Sequence, residues 1–326
     1  MPGKTGKLIF AFVMLVAAVS VLEFASRKIF MLQMVKVTFT GDKIGADASF
    51  KLSDDPVLLY EWKELPQEFS SAKPAGVFRI FAVGDSVTYR RPYDISEFYP
   101  FILGQMLNRA PASGRHYEVI NSGTPGYNLI QEARLLEKRI AGFSPDLVII
   151  GYCAPNDRTI RRTLIRYRDG LYCSDIWESY PYVSILPQRT CEFLMRHSFL
   201  WRFVNFKLVE TIRRSPGDFL KNKIGSFELS RDTEDALKSM QATAARNNFG
   251  LLLVVFPWLE EGGQEESDWI IARCKEYGLD YIDLRKSFGD FGYGRLKITA
   301  DDSCHPNIHG HRLAAEDIFR YLNVKE

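Results

Sequence analysis

Four short clusters in this chain carry residue types that could supply a nucleophile, a base and hydrogen-bond donors. Gly84-Asp85-Ser86 follows an apolar run from Val77 to Val83. A serine at the carboxyl end of a strand, on a turn tightened by glycine, projects its hydroxyl over the sheet edge, where a nucleophile can be approached. The G-x-S-x-G elbow is absent, because Thr88 stands at its second glycine. Taken alone, Asp85 and Ser86 would serve equally well as a helix N-cap. Asn121-Ser122-Gly123-Thr124-Pro125-Gly126 follows a second run, Tyr117 to Ile120. Gly123 would let a backbone amide approach a ligand closely, although a plain turn fits too. Asn156-Asp157 follows a third run, Asp146 to Ile150, and an Asn side chain at a strand end can face a developing oxyanion. Near the C-terminus, Asp302-Ser303-Cys304-His305 sets a carboxylate three residues before an imidazole. A serine hydroxyl becomes a strong nucleophile when an imidazole takes its proton, and the imidazole needs a partner to fix its tautomer. His305, His309 and His311 also raise a metal site, but no acidic or Cys cluster accompanies them and Gly310 breaks their helical spacing. No metal and no cofactor are expected.

The elements that must hold these clusters are legible as well. The three apolar runs, with Leu251 to Phe256 and Tyr281 to Asp283, read as strands buried on both faces of a parallel sheet. Helical patterns lie between them: Leu129, Ala133, Leu136 and Ile140 make one apolar stripe, Thr233 to Asn248 lacks Pro and Gly, and His309 to Leu322 closes the chain. Strands alternating with helices predict an α/β domain with a doubly wound parallel sheet and a ligand site at the carboxyl ends of the strands.

Together and in this order, the four clusters resemble the SGNH, or GDSL-type, hydrolase family across residues 76–315. The resemblance implies a flavodoxin-like SGNH fold. It also implies a serine esterase with Ser86 as nucleophile, His305 as base and Asp302 orienting that base. Ser86 N–H, Gly123 N–H and the Asn156 side chain would form the oxyanion hole. The family usually has a glycine two residues before the block-three Asn; here it is Ala154.

Outside this core the chain has two further features. Leu8 to Leu22 contains only Ser20 as a polar residue, between Lys4 and Lys7 on one side and Glu23, Arg27 and Lys28 on the other. Residues 1–28 are therefore expected to be an uncleaved transmembrane anchor, with membrane as a partner. The flanking charges do not fix its orientation. An SGNH domain on such an anchor suggests a bacterial envelope protein with its domain outside the cytoplasm. Residues 29–75 read as a stalk or small β extension, and 76–326 as the hydrolase domain. Inside that domain, about 158–225 form a basic insert with thirteen Lys/Arg against six Asp/Glu. Arg158, Arg161 and Arg162 open the insert directly after Asn156-Asp157, where guanidiniums would suit an anionic substrate.

The chain has 326 residues, 46% of them apolar, and a net charge of +2. That composition excludes a disordered or fibrous chain, and the charge gives no reason to expect nucleic acid as a partner. The five cysteines are too few for a disulfide scaffold and are expected to be reduced; Cys153, Cys173 and Cys191 are those from which a disulfide would draw. The expected substrate is an ester on a glycan or lipid, O-acetyl being one form. An acyltransferase would use the same residues, with a sugar hydroxyl replacing water. A non-catalytic scaffold is disfavoured because Ser86, Asp302 and His305 are all present.

Overall fold

A computed structural model describes residues 4–33, 39–40, 43–44, 49–55, 57–65, 67–89, 94–109, 114–153, 162–167, 170–175, 182–183, 186–214, 224–225, 230–262 and 264–325. The chain divides into two units, one of residues 1–40 with 160–229 and the other of 41–159 with 230–326.

The second unit carries the sheet. Its strands are β1 (Val77–Gly84), β2 (His116–Asn121), β3 (Leu147–Cys153), β4 (Gly250–Phe256) and β5 (Asp280–Asp283). All pairings are parallel and the spatial order is β2-β1-β3-β4-β5. This is the flavodoxin-like order, whose switch point lies between β1 and β3. β3 is buried along its whole length, as a continuous apolar run requires.

Alternation along the strands feeds two cores. Phe81, Val83, Ile150 and Val255 meet helices α2 (Leu129–Lys138), α3 (Ser230–Asn247) and α4 (Glu265–Tyr277) on one face. Ile80, Ala82, Ile149 and Val254 meet α1 (Tyr99–Arg109) and α5 (Ile308–Lys325) on the other. The stripe from Leu129 to Ile140 faces the first core, but its helix ends at Lys138 and Ile140 opens a short 3₁₀ turn.

The second unit also takes in residues 41–75, ahead of the sheet. Phe50–Leu52 and Tyr60–Trp62 form an antiparallel hairpin within this unit, in the segment expected to be a stalk or small β extension. Leu58 is fully buried in the core. Trp62 Nε1 donates to Gly123 O at 3.0 Å and Tyr60 Oη to Pro125 O at 2.6 Å. Arg139 pairs with Glu61 at 2.8 Å, and Arg134 with Asp55 at 2.7 Å. No periodicity announces these contacts, because they join residues more than sixty positions apart.

The first unit holds the helix Lys4–Gln33, the hairpin Arg162–Tyr167 with Gly170–Asp175, and the helices Gln188–His197 and Phe199–Arg214. Much of the basic insert therefore groups with the N-terminal helix. Glu23 joins them directly: its carboxylate accepts from Phe199 N at 2.6 Å, Leu200 N at 3.0 Å and Ser198 Oγ at 2.8 Å. An acid at a helix N-terminus satisfies orphan amides and faces the positive end of the dipole. The expected membrane-spanning helix is not met: among the described residues, no helix is long and apolar enough to cross a membrane.

Glycines at the carboxyl ends of β1, β2 and β3 set the fit of the sheet. A Cβ added at Gly123 would lie 2.8 Å from Thr88 Cβ, and one added at Gly84 or Gly151 would collide with Thr88 Oγ1. Gly151→Ala is expected to destabilise the protein by about 1–3 kcal/mol, the usual cost of overpacking. Adding Thr88→Ala should return part of the loss. Urea unfolding of the single and double variants checks this; simple additivity would show that the two sites do not share the strain.

Candidate active site

Ser86 sits one turn beyond β1. The Asp85 carboxylate accepts from Val87 N at 2.8 Å, and Asp85 O accepts from Thr88 N and Tyr89 N at 3.2 and 3.1 Å. These bonds close a single helical turn that lifts Ser86 off the strand axis. The turn can sit close to the sheet because Thr88 lodges against the glycines just described.

The second side chain arrives from far along the chain. Ser86 Oγ lies 2.8 Å from His305 Nε2. His305 Nδ1 lies 2.8 Å from Asp302 Oδ2 and 3.0 Å from Oδ1. With Nδ1–H donating to the carboxylate, Nε2 is left to accept the Ser86 proton. Asp302 also accepts from the amides of His305 and Cys304 at 3.0 and 3.1 Å. Burial pushes the Asp302 carboxyl up, but those amides and the His305 ring outweigh it and hold it down at about 2. The acid therefore stays ionised wherever the imidazole can act as a base.

The loop bearing His305 is fixed from both sides. Ile298 N donates to His305 O at 3.1 Å, and Leu259 N to Ser303 O at 2.8 Å. Asn307 Oδ1 accepts from His309 N at 3.0 Å, capping α5. A cavity of about 140 Å³ opens beside Ser86, lined also by Phe98, Ile298, His305, Pro306 and His311. His311 is buried against Phe98 and Tyr99, and loss of solvation, with the His305 charge, pushes its imidazole down to about 3. It is a neutral wall of the cavity.

Other expected site residues fare differently. Gly123 N–H donates to Asn121 Oδ1 at 2.9 Å, which occupies the amide that was to face an oxyanion. The short polar side chain of Asn121 captures it locally and also donates to Thr88 O at 2.9 Å. Gly126 is the glycine of this turn with a left-handed backbone, φ +80°. Asn156, Arg158 and Arg161 lie outside the described residues. Arg162 opens a strand of the first unit, and its side chain is not described. Among the described residues, no group of His, Cys, Asp or Glu could hold a metal ion. Sequence reasoning missed His311 as a wall and Thr88 as the packing centre. Neither has a motif signal; Thr88 was noticed only for not being glycine.

A family model described as the GDSL-like lipase/acylhydrolase family matches residues 82–313, more than half of the chain. The chain belongs to that family. It is an ester-cleaving hydrolase. Among solved structures, a lipolytic protein of the G-D-S-L family from Desulfitobacterium hafniense DCB-2 is 16% identical, covering 74% of this chain and 98% of its own, with a TM-score of 0.43. A catalytic mutant of Axe2, an acetylxylan esterase from Geobacillus stearothermophilus, is 17% identical over 74% of this chain and 92% of its own, with a TM-score of 0.44. No curated protein matches the chain.

The Asp302 charge predicts a pH-dependent stability. Its folded value of about 2 lies below an unfolded value near 3.9, so its contribution is full above about pH 5 and is lost as pH falls through 2. At pH 7 that contribution is about 2.6 kcal/mol, and about half of it should remain at pH 3. The stability gap between wild type and Asp302→Asn should shrink accordingly in urea unfolding at the two pH values. A gap that is constant or widens would mean that the carboxylate is not held in this way.

Proposed function

We propose that this hydrolase cleaves acyl esters on a glycan or lipid through a covalent acyl-enzyme at Ser86. The observation that carries the reading is the unbroken relay of 2.8 Å contacts from Ser86 Oγ through His305 to Asp302. His305 Nε2 takes the hydroxyl proton as Oγ attacks the ester carbonyl. The imidazolium formed is stabilised by the ionised Asp302. His305 then returns the proton to the leaving alcohol, and water attacks the acyl-enzyme by the same route. No cofactor enters these steps.

The developing oxyanion needs donors, each worth on the order of 3 kcal/mol of barrier. Ser86 N–H and the Asn156 side chain remain in that role. The Gly123 amide, expected as the third donor, is engaged by Asn121. The small cavity beside Ser86, walled by Phe98 and Ile298, favours a short acyl group such as acetyl. Transfer to a sugar hydroxyl would use the same relay, and an acid product released without any acceptor distinguishes hydrolysis from it.

The protein is further proposed to associate with a membrane through its N-terminal helix, with the hydrolase unit outside the cytoplasm. Phe10, Phe12, Val13, Met14, Leu15 and Val16 are all exposed and point to every side of that helix. A helix apolar all round is stable when something apolar surrounds it, and lipid does so without a partner protein.

Ser86→Ala should lower kcat/KM for an activated acetyl ester by at least about 10⁴-fold while leaving the unfolding midpoint nearly unchanged. Turnover by the folded variant within tenfold of wild type would remove Ser86 from the mechanism. In a flotation assay with phospholipid vesicles, the full chain should rise with the lipid and a chain starting at residue 41 should stay below. Co-flotation of both would place the membrane contact elsewhere.

A further inference from the structure

Two thiols that the acyl chemistry does not use meet beside the His305 loop. Cys153 is the last residue of β3 and is 2% exposed. Cys304 directly precedes His305 and is partly exposed. Their sulfurs are 3.0 Å apart, although 151 positions separate them in sequence. A disulfide bond measures about 2.05 Å, so closing this pair asks for roughly 1 Å of movement shared between two side chains.

We propose that Cys153 and Cys304 are an oxidative modification site, converted by a disulfide-class oxidant into a cross-link that fastens the His305 loop to the end of β3. The geometry supports this beyond mere closeness. The Cys304 amide donates to Asp302 Oδ1 at 3.1 Å, in the same turn that presents the His305 amide to that oxygen. The turn is thus built in the shape that brings the Cys304 sulfur to β3 while the carboxylate holds the imidazole. The 2.8 Å contact between Ser86 and His305 coexists with the close sulfurs, so bond formation and the catalytic arrangement are compatible. The exposures divide the labour: Cys304 meets the reagent and Cys153 resolves the intermediate.

The step balances as two exchanges. The Cys304 thiolate attacks one sulfur of the oxidant disulfide, forming a mixed disulfide and expelling one thiolate. The Cys153 thiolate then attacks the Cys304 sulfur and expels the second. Two protein thiols lose two electrons and two protons, and the oxidant is reduced to two thiols. A reducing dithiol reverses the sequence. The oxidised form holds the loop in place, and the reduced form relies on its hydrogen bonds alone. The cross-link itself is independent of the function proposed above; its effect on turnover rests on that reading.

The full chain is incubated with oxidised glutathione or with dithiothreitol, alkylated, and mapped by peptide mass spectrometry without reduction. The oxidised sample should yield one linked peptide pair containing Cys153 and Cys304. Its unfolding midpoint should lie about 5–10 °C above that of the reduced sample. Its kcat/KM for an activated acetyl ester should be about two- to tenfold higher, as expected when a catalytic side chain is held more firmly. Cys304→Ser and, separately, Cys153→Ala should each abolish the linked peptide and the midpoint shift. Two unlinked thiols at these positions after oxidation, or a link from either one to a different cysteine, overturns the proposal. A correct link with no change in midpoint or turnover overturns its fastening role. If neither form hydrolyses esters, the peptide map and the midpoint still decide the cross-link, and that failure belongs to the proposed function instead.

Discussion

The site depends on how closely one threonine can approach three glycines. Gly84 ends β1, Gly123 follows β2 and Gly151 lies in β3, so all three come from the carboxyl ends of neighbouring strands. Thr88 occupies the space that their missing side chains leave. Its carbonyl takes the Asn121 amide and its hydroxyl lies 3.3 Å from Tyr99 Oη. Without that approach, the turn carrying Ser86 could not rest on the sheet, and its hydroxyl would not stand at a fixed height for His305.

The other half of the site solves a different problem. His305 belongs to a loop, and loops are free to move unless their backbone groups are bound. Here the binding is dense: Asp302 takes two amides and the ring, Asn307 caps the next helix, and Ile298 and Leu259 reach in from neighbouring segments. The carboxylate that orients the imidazole thus also builds the loop. Its low pKa and its role as orienting partner have one cause, a set of donors converging on the charged form.

The hairpin at Phe50–Leu52 and Tyr60–Trp62 and the unit holding the N-terminal helix show how far a polar residue can act from its place in sequence. Trp62 and Tyr60 brace the turn after β2 by bonding to carbonyls of Gly123 and Pro125. Glu23, which the sequence presents only as a charge ending an apolar run, supplies the cap for Phe199–Arg214.

Residue order alone determined the strands and most of the helices, and it marked Asp302 and His305 as neighbours on one turn. Buried parallel strands must be continuous apolar runs, and an acid and base sharing one turn must be close in sequence, so both leave local marks. The roles of Ser86, Asp302 and His305 are what the resemblance of the four clusters to one family implies, and only the fold brings Ser86 Oγ to within 2.8 Å of His305 Nε2. Tertiary structure decided what depends on contacts between distant residues. It set the strand order and grouped much of the basic insert with the N-terminal helix. It also showed the Gly123 amide held by Asn121, a bond that depends on a side-chain rotamer and not on residue type. The meeting of Cys153 with Cys304 is of the same kind: the sheet carries one sulfur and the C-terminal loop the other, and only the fold makes them neighbours.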